Sequence, residues 1–115
     1  MMIQTYSFGE VVIDGRKYHS DVMIFPDGRI EDSWWRTSGH VLSLADLTAL
    51  IAAQPEVIVA GTGAAGMMRV DPDVAPALAK RNIAFYALPT GEAVERINEL
   101  LRHNLKVGAG LHLTC

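Results

Sequence analysis

Three glycines in the stretch VIVAGTGAAGMM (57–68) are spaced Gly-x-Gly-x-x-Gly, at Gly61, Gly63 and Gly66. After an apolar strand, that spacing is the fingerprint of a dinucleotide site, in which a tight turn sets the free N–H groups of the following helix against a pyrophosphate. Two of the features that give it that meaning are missing. Gly66 is followed by MMRVDPD, so the next helix starts about seven residues later, and it opens with Asp71 and Asp73, acids that use the N–H donors and repel phosphate. The next strand ends YALPT, with no acid before Glu92 to hold a ribose. The glycines are therefore expected to form a tight surface loop that binds neither NAD nor NADP, and no other cofactor is implied.

The same loop has a second chemical use. If the strands at 57–60 and 83–88 are parallel neighbours, their carboxyl ends bring Gly61-Thr62-Gly63 and Pro89-Thr90-Gly91 to one edge of the sheet, where open α/β sheets hold ligands. Thr62 and Thr90 supply hydroxyls, and the glycines Gly61, Gly63 and Gly91 let a ligand approach the backbone. A helix starting directly after Thr90 turns its N–H groups toward the crevice. Arg69 adds positive charge if its loop folds back, and Glu92 in the first helical turn opposes anions. These residues suit a small polar ligand of weak affinity. The plainer reading makes Thr90 a helix N-cap and Thr62 a turn residue.

Other reactive residues are scattered. His19, His40, His103 and His112 lie on separate elements, and no two have a metal-ligand spacing, so no metal site is expected. His40 near Ser38 in RTSGH has neither a nucleophile elbow nor a clear oxyanion hole beside it, and no catalytic residue is assigned. Asp27, Glu31 and Asp32 read as a solvated turn. Cys115 is the only cysteine; it has no activating context, allows no internal disulfide and fits a reducing compartment. The remaining candidate is Trp34-Trp35-Arg36. Adjacent strand residues face opposite ways, so only one tryptophan need be core; the other, beside Arg36, is a candidate interaction patch.

These residues must be positioned by a chain of 115 residues, enough for one domain (1–115). Half of the residues are hydrophobic and a fifth charged, as in ordinary globular proteins. The net charge of −3, without a basic stripe, does not favour nucleic acid or an anionic membrane surface. No apolar run reaches spanning length, and the opening MMIQTYSFG reads as a strand and not as a signal or transit peptide, so the chain is taken as a complete cytoplasmic domain.

Residues 3–35 pattern as a β-meander. Asp14-Gly15 marks one hairpin; Pro26-Asp27-Gly28 marks another between Val22–Phe25 and Arg29–Trp35. From residue 42 the period becomes helical. Ser43 reads as an N-cap with Asp46 at the capping-box position, Leu44, Leu47, Leu50 and Ile51 form a stripe, and Pro55 ends the helix. Then come the apolar strand Val57–Ala60, a short helix capped by Asp73 that runs to about Arg81, the strand Ile83–Leu88, a long helix capped by Thr90 that runs to about His103 and closes at Asn104, and a last strand. In that strand Val107, Ala109, Leu111 and Leu113 share one face, while Gly108 and Gly110 on the other allow close packing. Strand–helix–strand–helix–strand implies at least one parallel pair, which the first-half strands extend or cover.

With these residues in view, the chain resembles a family of small single-domain proteins that includes a mitochondrial complex I assembly factor and the adipogenesis-associated protein. The resemblance runs over nearly the whole chain. It rests on the PDG hairpin followed by Trp34, on PEVIVAGTG at 55–63, on Thr90, Ala93, Asn98 and Leu100 in TGEAVERINELL, and on Val107 with the small residues after it. It implies an α/β fold, a three-layer single domain around a mixed β-sheet, with the β-meander followed by the β-α-β-α-β half. It supplies no catalytic residues to transfer. It implies a non-catalytic binding or assembly module that acts on a protein partner; the chain is expected to be a monomer or weak homodimer. The alternative is a protein or enzyme that binds a polar or anionic small molecule weakly, at the Gly61–Gly63 loop and the Thr90 helix start. Where the family has Glu-Gly-Arg between the last helix and the last strand, this chain has His103-Asn104-Leu105, and the charge pair or contact made there is lost.

Overall fold

The computed structural model describes residues 1–115. The central sheet has five strands in the order β5-β4-β10-β7-β9. Strands β7 (Val57–Thr62), β9 (Ala84–Leu88) and β10 (Val107–His112) come from the second half of the chain and are parallel, with Val57 aligned to both Val107 and Ala84. Strands β4 (Val22–Ile24) and β5 (Ile30–Glu31) continue the sheet antiparallel from the other side of β10. The sheet is therefore mixed. The parallel strands need covered crossovers, whereas the β4–β5 hairpin joins at an edge.

Every residue of β7 and of β10 is buried, which is why both read as continuous apolar or small runs. Alternation then divides the core. Val57, Val59, Val107, Ala109 and Leu111 face helix α3 (Thr90–Arg102) and a separate antiparallel sheet of β1 (Ile3–Ser7), β2 (Glu10–Ile13) and β3 (Arg16–Tyr18). Ile58 and Ala60 face the second core with Leu47, Leu50, Val74 and Leu78. These come from a 3-10 turn at Leu44–Leu47, helix α1 (Thr48–Ala52) and helix α2 (Val74–Lys80). Two apolar layers on one sheet give the three-layer domain that the resemblance implies. No helix is long and apolar enough to cross a membrane.

Local departures from the sequence expectations have identifiable causes. The strand expected over Arg29–Trp35 stops at Glu31. Ser33 has a positive φ of 54°, and the Trp34 N–H donates to the Asp21 carbonyl at 2.9 Å, so the chain leaves the sheet there. The helix expected after Ser43 is one 3-10 turn followed by five α-helical residues; the Asp46 carboxylate does accept from the Ser43 N–H at 2.9 Å, as a capping box requires. The Asp73 side chain makes no capping hydrogen bond. Thr90 is the first helical residue and not the N-cap; Pro89 is, and the Thr90 hydroxyl points elsewhere. A pair absent from the sequence reading, β6 (Val41–Leu42) and β8 (Arg69–Val70), runs parallel and ties residues 69–71, just after the glycine loop, to residues 40–42.

Candidate functional site

At the carboxyl edge of the parallel strands, β10 ends on His112. In β10, Gly108 and Gly110 share a face, and His112 shares it with them by the two-residue alternation of a strand. Gly110 lies beneath the Trp34 indole and Gly108 beneath Leu50, so His112 emerges on the Trp34 side. The register Leu111↔Val22 sets the residue before Val22, Asp21, beside it. His112 Nδ1 and the Asp21 Oδ2 are 2.7 Å apart. A carboxylate only accepts, so at this distance Nδ1 carries the proton and donates it. Asp21 Oδ2 also accepts from Arg36 Nη2 at 2.7 Å, and Oδ1 from the Leu113 N–H at 2.8 Å. The 3.2 Å between Arg36 Nη2 and His112 Nδ1 is then the approach of two donors that share one acceptor.

Burial alone pushes the Asp21 carboxyl upward. The hydrogen bonds from His112, Leu113 and Arg36 outweigh it and hold the group below its ordinary value. Tyr6 donates to the Leu113 carbonyl at 2.7 Å; its phenol is raised by burial and by the negative charge of Asp21. Arg36 is fixed by its Nε–H bond to the Gly39 carbonyl at 3.0 Å and by stacking on Trp34, with Cζ 4.8 Å from the ring centre. The Thr37 N–H donates to Asp46 at 3.2 Å, which ties this loop to the helical layer.

Two buried polar atoms in this cluster have no partner: Arg36 Nη1 and His112 Nε2. Such atoms are rare in native proteins and call for an explanation. His112, Asp21, Arg36, Trp35, His40 and Cys115 line a cavity of about 410 Å³. His40 and Cys115 also line an adjoining apolar cavity of about 760 Å³ with Phe8, Ala64, Ala65 and Met67. The donor atoms of His40, His112 and Cys115 lie within 4.8 Å of one another.

The residues singled out from sequence sit close by, in varied roles. Gly61-Thr62-Gly63 and Pro89-Thr90-Gly91 do meet at one sheet edge, since β7 and β9 are parallel neighbours. Thr90 is fully buried there: its hydroxyl donates to the His112 carbonyl at 2.6 Å and accepts from the Gly63 N–H at 2.9 Å. A Cβ on Gly61 would meet Thr90 Oγ1 and Leu111 at 2.9 Å. Thr62 is buried, Gly91 is exposed, and Arg69 is exposed on β8. Trp34 is buried at 7% exposure and Trp35 stands out at 86%, but Arg36 turns inward to Asp21 and away from Trp35. His40, His112 and Cys115, read from sequence as unconnected, come together. Counting on by twos from Gly108 and Gly110 places His112 on their face; nothing in the sequence gives the register that brings Asp21 to it.

The model of a family described as "Protein of unknown function (DUF498/DUF598)" matches residues 3–112. Among solved structures, the conserved hypothetical protein PH1505 from Pyrococcus horikoshii OT3 is 29% identical; the match covers 100% of both chains with a TM-score of 0.85. A protein named MT938 is 30% identical over 99% of this chain and 98% of its own, with a TM-score of 0.83. A protein described as an outer membrane protein, from Bartonella henselae, shares the fold at 24% identity and a TM-score of 0.81, over 98% of this chain and 94% of its own.

Proposed function

The chain belongs to the DUF498/DUF598 family of proteins of unknown function, and from that membership we propose that it is a non-catalytic binding module that docks a protein partner over the cleft at the carboxyl edge of its sheet. One observation carries this reading. Phe8, Met67 and Trp35, exposed by 69%, 66% and 86%, flank two adjoining cavities that share His40 and Cys115. Large apolar side chains around a concave, polar-centred site are the composition of an interaction surface. Trp35 is the anchor, since tryptophan is enriched among residues that dominate binding energy. Trp34 and Arg36 act from behind by fixing the loop that presents it. The assembly role implied by the family resemblance points the same way. Cys115 stands where the two cavities meet.

The test is affinity capture with the wild type and with Trp35→Asp and Met67→Asp, each checked for an unchanged melting temperature. A stoichiometric partner held by the wild type and lost from both variants supports the reading. A partner retained equally by all three, or none at all, overturns it.

A second reading, a small polar ligand, is favoured by the unpartnered Arg36 Nη1 and His112 Nε2. In it, Gly61, Thr62, Gly63, Thr90 and Gly91 frame the sheet edge and Arg69 stands outside. A metabolite retained through purification, and absent from an Arg36→Met variant, separates it from the first.

A further inference from the structure

We propose that His40, His112 and Cys115 bind one borderline-soft metal ion of the zinc(II) class, with an open coordination position toward the cavity lined by Phe8, Ala64, Ala65 and Met67. The three donors come from a loop, a strand end and the segment after that strand, and lie within 4.8 Å of one another. Bonds of about 2.0–2.1 Å to nitrogen and about 2.3 Å to sulfur put tetrahedral ligands roughly 3.3–3.7 Å apart, so the set must close by about 1 Å. His40 is exposed and Cys115 half-buried, so both have room for that rotation.

His112 is the independent observation that points to a ligand. It is only 6% exposed, its Nδ1–H is engaged by Asp21, and its buried Nε2 has no partner. An imidazole whose one nitrogen donates to a carboxylate is oriented and made more basic at the other, which is how metal-bound histidines are held. Two imidazoles and a thiolate select zinc or copper(I) over magnesium or calcium. The Asp21 and Cys115 negative charges offset two of the three positive charges that Arg36 and a divalent ion bring. Three protein ligands leave one position of a tetrahedral set open.

The line Asp21–His112–Cys115 also resembles a base poised on a thiol. His40 decides against that use. Its ring stands perpendicular to that of His112, at 89° with centroids 5.7 Å apart, and adds a third donor that a base–thiol pair does not employ. The metal site rests on these residues alone and is independent of any partner at the rim.

The experiment uses the tag-free, reduced full chain titrated with cobalt(II) and followed by absorbance, then with zinc(II) in competition. One equivalent of cobalt(II) is expected to give a thiolate charge-transfer band and tetrahedral d–d bands that zinc(II) removes. Cys115→Ser should abolish the charge-transfer band, His40→Gln should weaken affinity at least tenfold, and Asp21→Asn by about 10–100-fold. His112→Gln should lose binding and is checked for folding by circular dichroism; Cys115→Ser and His40→Gln lie outside the core and keep the test free of that issue. No stoichiometric cobalt(II) binding by the wild type overturns the proposal. So does binding that survives unchanged in Cys115→Ser and His40→Gln. Rapid alkylation of Cys115 that depends on His112 but is indifferent to zinc(II) would overturn it in favour of thiol chemistry.

Discussion

Gly110 lies directly beneath the Trp34 indole: a Cβ at that position would stand 2.5 Å from Cη2 and 2.7 Å from Cζ3. The contact seats Trp34 against β10, and the Arg36 guanidinium stacks on the same ring system. The glycine is thus required by a close approach and not by its φ. Gly110→Ala is expected to destabilise the fold by about 1–3 kcal/mol through overpacking, read as a lower urea midpoint at an unchanged m-value. A variant within about 0.5 kcal/mol of the wild type would show that this packing is not tight.

The Thr90 hydroxyl bridges two backbone groups, the Gly63 N–H and the His112 carbonyl, in a fully buried position. Thr90→Val keeps the shape and strands both groups, and each buried unsatisfied group costs about 1–3 kcal/mol. The expected loss is about 2–4 kcal/mol, with most of it regained in Thr90→Ser. Chemical denaturation of the three proteins checks this. Equal losses for valine and serine would assign the effect to packing.

Asp21 is held below the ordinary carboxylate range in the folded state. A group depressed on folding contributes stability that is complete above its unfolded value, about 3.9, and is lost as the pH falls through the lower folded value. The wild type should therefore lose stability toward acid more steeply than Asp21→Asn, and the gap between them, widest near neutrality, should narrow below about pH 4. Urea midpoints measured between neutral and acid pH test the sign. As a second readout, Asp21→Asn should let the Tyr6 phenol titrate at lower pH, because one of the two influences raising it is the Asp21 charge.

Trp35 is exposed and Trp34 buried. In Trp34→Phe, the remaining emission should be red-shifted and strongly quenched by acrylamide; in Trp35→Phe it should be blue-shifted and shielded. Trp35→Phe should also leave stability within about 0.5 kcal/mol, since it removes no core contact. Equal shielding of the two residues in the isolated chain would place Trp35 under cover and remove the anchor of the proposed docking surface.

The second half of the fold was legible because its signals are local. Strand β7 is a continuous apolar run, α2 and α3 begin and end near the expected residues, and Asn104, at a positive φ of 59°, closes α3 as expected. The small residues on alternate positions of β10 announced something packed closely on that face. The first half was less legible. Val11, Ile13, Val22 and Ile24 are all buried, but the strand-like runs that contain them do not say that β1–β3 form their own sheet while β4 and β5 join the central one. That choice depends on which hydrogen-bonding edge each hairpin meets.

What the sequence determined by itself is what nearest neighbours along the chain control: turn chemistry at Asp14-Gly15, helical period, strand alternation, and the late helix start that separates the glycine loop from a dinucleotide site. The candidate site was decided only by the tertiary structure. Asp21, Arg36, His40, His112 and Cys115 are brought together by the antiparallel register of β4 on β10, the departure of the chain after Glu31, and the short β6–β8 pair. Their spacing along the chain carries no metal or triad pattern. Their chemistry arises because burial sets Arg36 Nη1 and His112 Nε2 inside the cleft without a protein hydrogen-bond partner.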